Sequence, residues 1–185
     1  MNRILFSLIL AFSAVMASAQ TVRLHTSMGD IRIQLDAEKA PKTVANFVAY
    51  VKAGHYDGTV FHRVIESFMI QGGGFTVDLK QKPTKAPIPL ESRNGLSNVR
   101  GSIAMARTND PHSATAQFFL NVADNTRLDA ENAPDGQGYA VFGHVVSGMD
   151  VVDQIRAVPV APRGPHQHAP EFPVVILKAT LENTK

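Results

Sequence analysis

The sequence predicts a mainly β protein, a small closed barrel with two helical caps, and three observations carry that reading. Short β-prone runs recur through the chain, two stretches have helical spacing, and Gly-rich turns separate them. Closing short strands into a barrel removes their unpaired edges. Composition narrows the function. Cysteine is absent, which excludes disulfides, a thiolate metal site and a cysteine nucleophile. A formal net charge of +2, no run of Lys or Arg, few aromatics and no tryptophan leave little with which to hold nucleic acid.

Residues 1–19 read as a cleavable signal peptide. Asn2-Arg3 gives a short positive start, Ile4 to Val15 is almost wholly apolar, and Ala17-Ser18-Ala19 is an A-x-A cleavage signature before Gln20. That run is shorter than the roughly 20 residues that span a bilayer. The expectation is export to the periplasm, with no membrane attachment once the signal is removed. Residues 20–185 then form one domain, large enough to bury a core without staples.

Val22 and Leu24 alternate with Arg23 and His25, and Ile31, Ile33 and Leu35 alternate with Arg32 and Gln34, which predicts a β-hairpin. In Ala40 to Gly54, proline suits the first turn and Val44, Phe47, Val48 and Val51 recur at helical spacing, so a helix is expected to plug one end of the sheet. Phe61 to Phe75 reads as two antiparallel strands joined tightly at Glu66-Ser67. Alternation puts Met69 and Gln71 on one face, Phe68 and Ile70 on the other. Arg63 on the neighbouring strand stands beside that polar hook, with five fixed donors over an apolar surface. Gly72 to Gly74 lack the spacing of a phosphate loop.

Leu79 to Asn98 reads as a long surface loop wrapped over the barrel. Gly101 to Ala106 is a short strand. Gln117 to Val122 is another, with Gln117 and Phe119 on one face and Phe118 and Leu120 on the other. Asp124 to Gly138 is loop, rich in turn formers. Tyr139 to Val146 is a strand, Gly148 to Ile155 a second helix, Val158 to Pro173 a Pro- and His-rich loop, and Pro173 to Leu181 the closing strand.

Five blocks, taken in order, carry a family resemblance. Phe61-His62-Arg63-Val64-Ile65, Phe68-Met69-Ile70-Gln71-Gly72-Gly73, Gly101 to Ala106, Gln117-Phe118-Phe119-Leu120 and Val141-Phe142-Gly143-His144-Val145 resemble the successive signatures of the cyclophilins. The signal peptide and the Asp124 to Gly138 loop are similar to the periplasmic bacterial branch. The resemblance implies a peptidyl-prolyl cis-trans isomerase on an eight-stranded antiparallel barrel with two capping helices. It requires no cofactor and no metal, and its partners are proline-containing polypeptides.

Carried over by position, Arg63 matches the catalytic arginine. Phe68, Met69, Phe119 and Leu128 match the pocket for the proline ring, and Gln71 matches the side chain that fixes the substrate carbonyl. Ala106 and Arg107 match a strand end whose backbone pairs with an extended peptide, and Gln117 the residue bracing the arginine's side. Tyr139 stands in place of a pocket histidine, and Arg127 in place of the tryptophan that many eukaryotic members carry. Glu66-Ser67 replaces Pro-Gly and Arg107 replaces asparagine. Those departures imply weak or no binding of cyclosporin. A monomer is expected from a closed barrel without a long amphipathic stretch.

Three rival readings compete. A holding module would use the same groove without turnover. A metal enzyme would have to be built on His166-Gln167-His168 with His144 or His112, but no carboxylate or cysteine is spaced to complete the site. Serine hydrolysis lacks G-x-S-x-G.

Overall fold

Val22 and Leu24 sit directly opposite Ile33 and Ile31 across the first hairpin, and all four side chains are fully buried. A computed structural model describes residues 20–182, and this hairpin, β1 (Thr21–Thr26) and β2 (Gly29–Leu35), starts its barrel. The signal-peptide reading of residues 1–19 lies outside the described residues. The remaining strands and α-helices are α1 (Pro41–Lys52), β3 (Thr59–Ile65), β4 (Met69–Thr76), β5 (Ser102–Met105), β6 (Phe118–Asn121), β7 (Val141–Ser147), α2 (Met149–Arg156), β8 (Val160–Arg163), β9 (His166–Pro170) and β10 (Val175–Glu182), with a single 3-10 turn at Thr126–Leu128 before β7. Eight strands close in the order β1-β10-β3-β4-β6-β5-β7-β2, every neighbouring pair antiparallel. The expected eight-stranded barrel with two helices is therefore the observed fold.

Helix α1 plugs the barrel with its apolar stripe. Phe47 packs against Phe142 and Tyr56, each with ring centroids 5.1 Å away, and edge-on to Phe118 at 5.6 Å. Its N-cap residue, Ala40, has no side chain to cap with, and the missing acceptor comes from far along the chain. Glu91 accepts hydrogen bonds from the Lys42 N–H (3.1 Å) and the Thr43 N–H (2.8 Å). A carboxylate is the favoured partner for these orphan donors at the positive end of a helix. The same contact ties the long 79–98 loop to the barrel. Val151, Val152 and Ile155 are the buried face of α2.

The chain from 158 to 173 differs from expectation. It contains a hairpin, β8–β9, packed beside β3, where a loop was expected. Pro162, Pro165 and Pro170 mask the strand signal, yet a separate two-stranded ribbon tolerates proline because few of its N–H groups need a ladder partner. Its anchor is His166, whose ring lies 4.7 Å from that of Phe75 and 5.3 Å from that of His62. Strand β7 also starts two residues later than expected, leaving Tyr139 and Ala140 in the preceding loop.

Candidate active site

Alternation along β3 to β7 builds two apolar clusters from the same strands. Val64, Ile70, Leu120 and Ile103 are opposed in register and fill the barrel interior. The intervening positions make a second row across five strands, Arg63 opposite Gln71, Gln71 opposite Phe119, Phe119 opposite Ala104, Ala104 opposite Val141. Met69, Ala104, Phe119 and Val141 form a smaller buried cluster on the outer face, edged by Phe68, Ala106, Leu128 and Tyr139. One end of this outer row is apolar and the other carries the guanidinium.

The placement of Arg63 depends on an irregularity. The β3–β4 register slips between Phe61 and Arg63, so two steps on β3 match the single step from Gly72 to Gln71. A bulge of this kind re-aims a side chain. Arg63 Nη1 then donates to Gln71 Oε1 at 3.4 Å, and Gln71 Nε2 donates to Gln117 Oε1 at 2.9 Å. Gln117 thus reaches the arginine through Gln71. Room for it comes from Gly74, where a Cβ would lie 2.5 Å from Gln117 Cγ. No carboxylate among the described residues forms an ion pair with Arg63. Glu66 is exposed, and it is its backbone carbonyl that is bound, by Arg156 Nη1 at 3.1 Å.

A depression of about 200 Å³ opens beside this guanidinium. Arg63, Met69 and Gln71 line it from β3 and β4, and Phe119 from β6. Ala106 and Arg107 border it after β5, and Leu128 and Tyr139 close it from the loop before β7. Phe68 also lines it, which corrects the expected face. Strand β4 starts only at Met69, so Phe68 belongs to the turn and swings to the Met69 side, away from Ile70. The Ala106 N–H donates to the Gln117 carbonyl at 3.0 Å, so it is not a free donor for a peptide. The Arg63 and Arg127 guanidinium carbons stand 6.0 Å and 4.7 Å from the Phe68 ring centroid.

Sequence reasoning missed the polar residues that hold this wall. Asn121, fully buried, donates to Ser102 Oγ (2.9 Å) and Asn98 Oδ1 (3.2 Å) and accepts from Asn125 Nδ2 (2.8 Å). Asn125 Nδ2 also donates to the Phe68 carbonyl at 2.7 Å, and Asp129 accepts from the Asn98 N–H at 2.7 Å. The available signal was Asn121 itself, since an amide inside an apolar β run must find partners when buried. Of the histidines considered as ligands, His112 Nδ1 accepts from the Leu90 N–H at 3.1 Å, while His166 packs on Phe75. Among the described residues no three His, Cys, Asp or Glu side chains are grouped to hold a metal ion.

The family model of the cyclophilin type peptidyl-prolyl cis-trans isomerases matches residues 21–181. The chain belongs to the cyclophilin family. The peptidyl-prolyl cis-trans isomerase cyp18 of Streptomyces antibioticus is 59% identical over 162 residues, 87% of this cyclophilin and 98% of that protein. The peptidyl-prolyl cis-trans isomerase B of Escherichia coli is 53% identical over 161 residues, 86% of this chain and 98% of the relative. In fold, the cyclophilin type isomerase of Cryptosporidium parvum superposes with a TM-score of 0.74 at 24% identity, covering 90% of this chain and 99% of that one.

Proposed function

We propose that this cyclophilin-type isomerase uses Arg63 as its catalytic residue and turns X-Pro bonds in exported, partly folded polypeptides. The observation that carries this reading is the Arg63 guanidinium, in no ion pair among the described residues and steadied by Gln71 at the lip of an apolar depression. Amide resonance sets a barrier of about 18–20 kcal/mol to rotation. In the twisted transition state that resonance is lost, and the prolyl nitrogen gains a lone pair able to accept a hydrogen bond. A guanidinium beside the proline pocket stabilises a basicity that the planar ground state lacks, which is the differential binding that catalysis requires. Met69, Phe68, Phe119, Leu128 and Tyr139 hold the ring, and Gln71 and Gln117 keep Arg63 aimed. No nucleophile takes part.

Export rests on the signal-like residues 1–19, which support work in the periplasm on newly translocated chains. Weak cyclosporin binding follows from Arg127 at the rim, where an exposed cation replaces an indole. The protein acts as a monomer. The deciding experiment is the cis-to-trans rate of an Ala-Pro peptide with wild type and with Arg63→Ala. Acceleration lost in a folded Arg63→Ala variant supports the reading. A wild type that binds the peptide without accelerating it replaces the reading with a holding module.

A further inference from the structure

We infer that Arg107 is a positioning residue, whose guanidinium fixes Tyr139 and with it the loop wall of the proline pocket. The inference rests on the isomerase reading of the depression. Although Arg107 borders the pocket, its side chain is only 3% exposed and points into the protein's own loop. A buried guanidinium needs an acceptor for each nitrogen. Nε donates to the Gly138 carbonyl at 2.9 Å, Nη1 donates to the Thr108 carbonyl at 2.9 Å, and Nη2 pairs with Asp135 Oδ2. The guanidinium carbon also lies 4.7 Å from the centroid of the Tyr139 ring. Every nitrogen is committed within the protein, so the charge is not directed at a substrate.

Three of these four contacts converge on residues 135–139, and those residues carry the wall. The Tyr139 ring stands edge-on to Phe119, 5.6 Å between centroids, and the Tyr139 N–H donates to the Leu128 carbonyl at 2.9 Å. Gly138 allows the approach: it has φ +64°, and a Cβ there would lie 2.5 Å from the Ala130 nitrogen. Asp135 is itself braced, accepting from the Gln137 N–H at 2.9 Å and the Gly138 N–H at 3.2 Å. The outer part of the loop has separate ties, Arg93 Nη2 to the Gly136 carbonyl at 2.7 Å and Ser92 Oγ to the Gln137 carbonyl. Removing Arg107 therefore leaves the loop attached and frees its pocket side. Lysine cannot substitute, because a single ammonium does not reproduce a planar fork plus a stacked face.

The test places 3-fluorotyrosine at position 139 and records its 19F resonance in the wild type and in Arg107→Ala, Arg107→Lys and Asp135→Asn, alongside binding and turnover of an Ala-Pro peptide. The wild type gives one narrow resonance. Both Arg107 variants broaden or shift it and weaken peptide binding by about tenfold, while turnover at saturating peptide stays within about threefold. Asp135→Asn moves both readouts the same way by about two- to threefold. Its carboxylate is half exposed, so the fold is kept if Arg107→Ala fails to fold. An unchanged resonance with unchanged binding in the Arg107 variants overturns the inference, as does a fall in turnover at unchanged binding. If the wild type accelerates no X-Pro rotation, the isomerase reading falls, and the 19F comparison still decides the role of Arg107.

Discussion

Gln71 faces Arg63 directly across the β3–β4 ladder and is used at both ends of its amide, the oxygen 3.4 Å from Arg63 Nη1 and the nitrogen 2.9 Å from Gln117 Oε1. Replacing it with leucine keeps most of the volume and removes the brace. Gln71→Leu is expected to lower kcat/KM on an Ala-Pro peptide by about tenfold, with the melting temperature within a few degrees of wild type, since a hydrogen bond to a charged group is worth about 1.5–3 kcal/mol. Arg63→Ala goes further, losing about 10²–10³ in kcat as removal of a transition-state donor does. A loss larger in Gln71→Leu than in Arg63→Ala would mean that Gln71 does more than hold the arginine.

Gly74→Ala tests the same brace from behind. Its Cβ would meet Gln117 Cγ at 2.5 Å, and that side chain is flexible enough to move aside. The expected result is a stability cost of about 1 kcal/mol and a fall in kcat/KM matching that of Gln117→Ala. The double variant Gly74→Ala/Gln117→Ala should be no worse than either single one. Additive losses would show that Gly74 acts by another route.

Asn121→Ala leaves partners of Asn98, Ser102 and Asn125 unmet inside the protein. Chemical denaturation should register a loss of about 2–4 kcal/mol, larger than for an exposed asparagine. Peptide binding should weaken as well, because Asn125 holds the Phe68 carbonyl.

Acid should destabilise the protein through His62. Burial, with His166 and Arg63 nearby, depresses its pKa from 6.5 to about 4, and its Nδ1 has no hydrogen-bond partner. Between those two values the unfolded chain binds a proton that the folded one refuses. Stability therefore falls as pH drops from about 6.5 towards 4, by on the order of 3 kcal/mol in total, and is flat in this respect above 6.5. The depressed carboxyl groups of Asp30, Asp135 and Asp153 act in a lower window, losing their stabilisation only as pH falls below 3.8. His55, also lowered by burial, contributes in the same direction as His62. Comparing urea unfolding of wild type and His62→Phe from pH 4 to 8 isolates the first effect, and identical slopes would remove it.

What could be read beforehand tracks the range over which each cause acts. The opposed faces of Gln117, Phe118, Phe119 and Leu120 were legible because alternation is a property of neighbours along one strand. Phe68 was misassigned because the turn before Met69 breaks that period within one residue. The cap that Glu91 supplies to α1 and the burial of Arg107 against Asp135 depend on the path of long loops. Loop paths are settled by packing, and no local pattern encodes them. The β8–β9 hairpin was hidden by its prolines, whose local signal outweighs a pairing made only in the folded chain.

Along Met69-Ile70-Gln71 of β4 and Phe118-Phe119-Leu120 of β6, inside and outside residues alternate one by one, so two demands act on the same strands at different positions. Ile70 and Leu120 fill the barrel, while Met69, Gln71 and Phe119 line the depression. Met69 and Phe119 can be exchanged on the outer row while Ile70 and Leu120, their neighbours in sequence, are left untouched inside. For an engineer that makes the outer row a set of dials, each of which can be turned with its neighbours in the sequence held fixed.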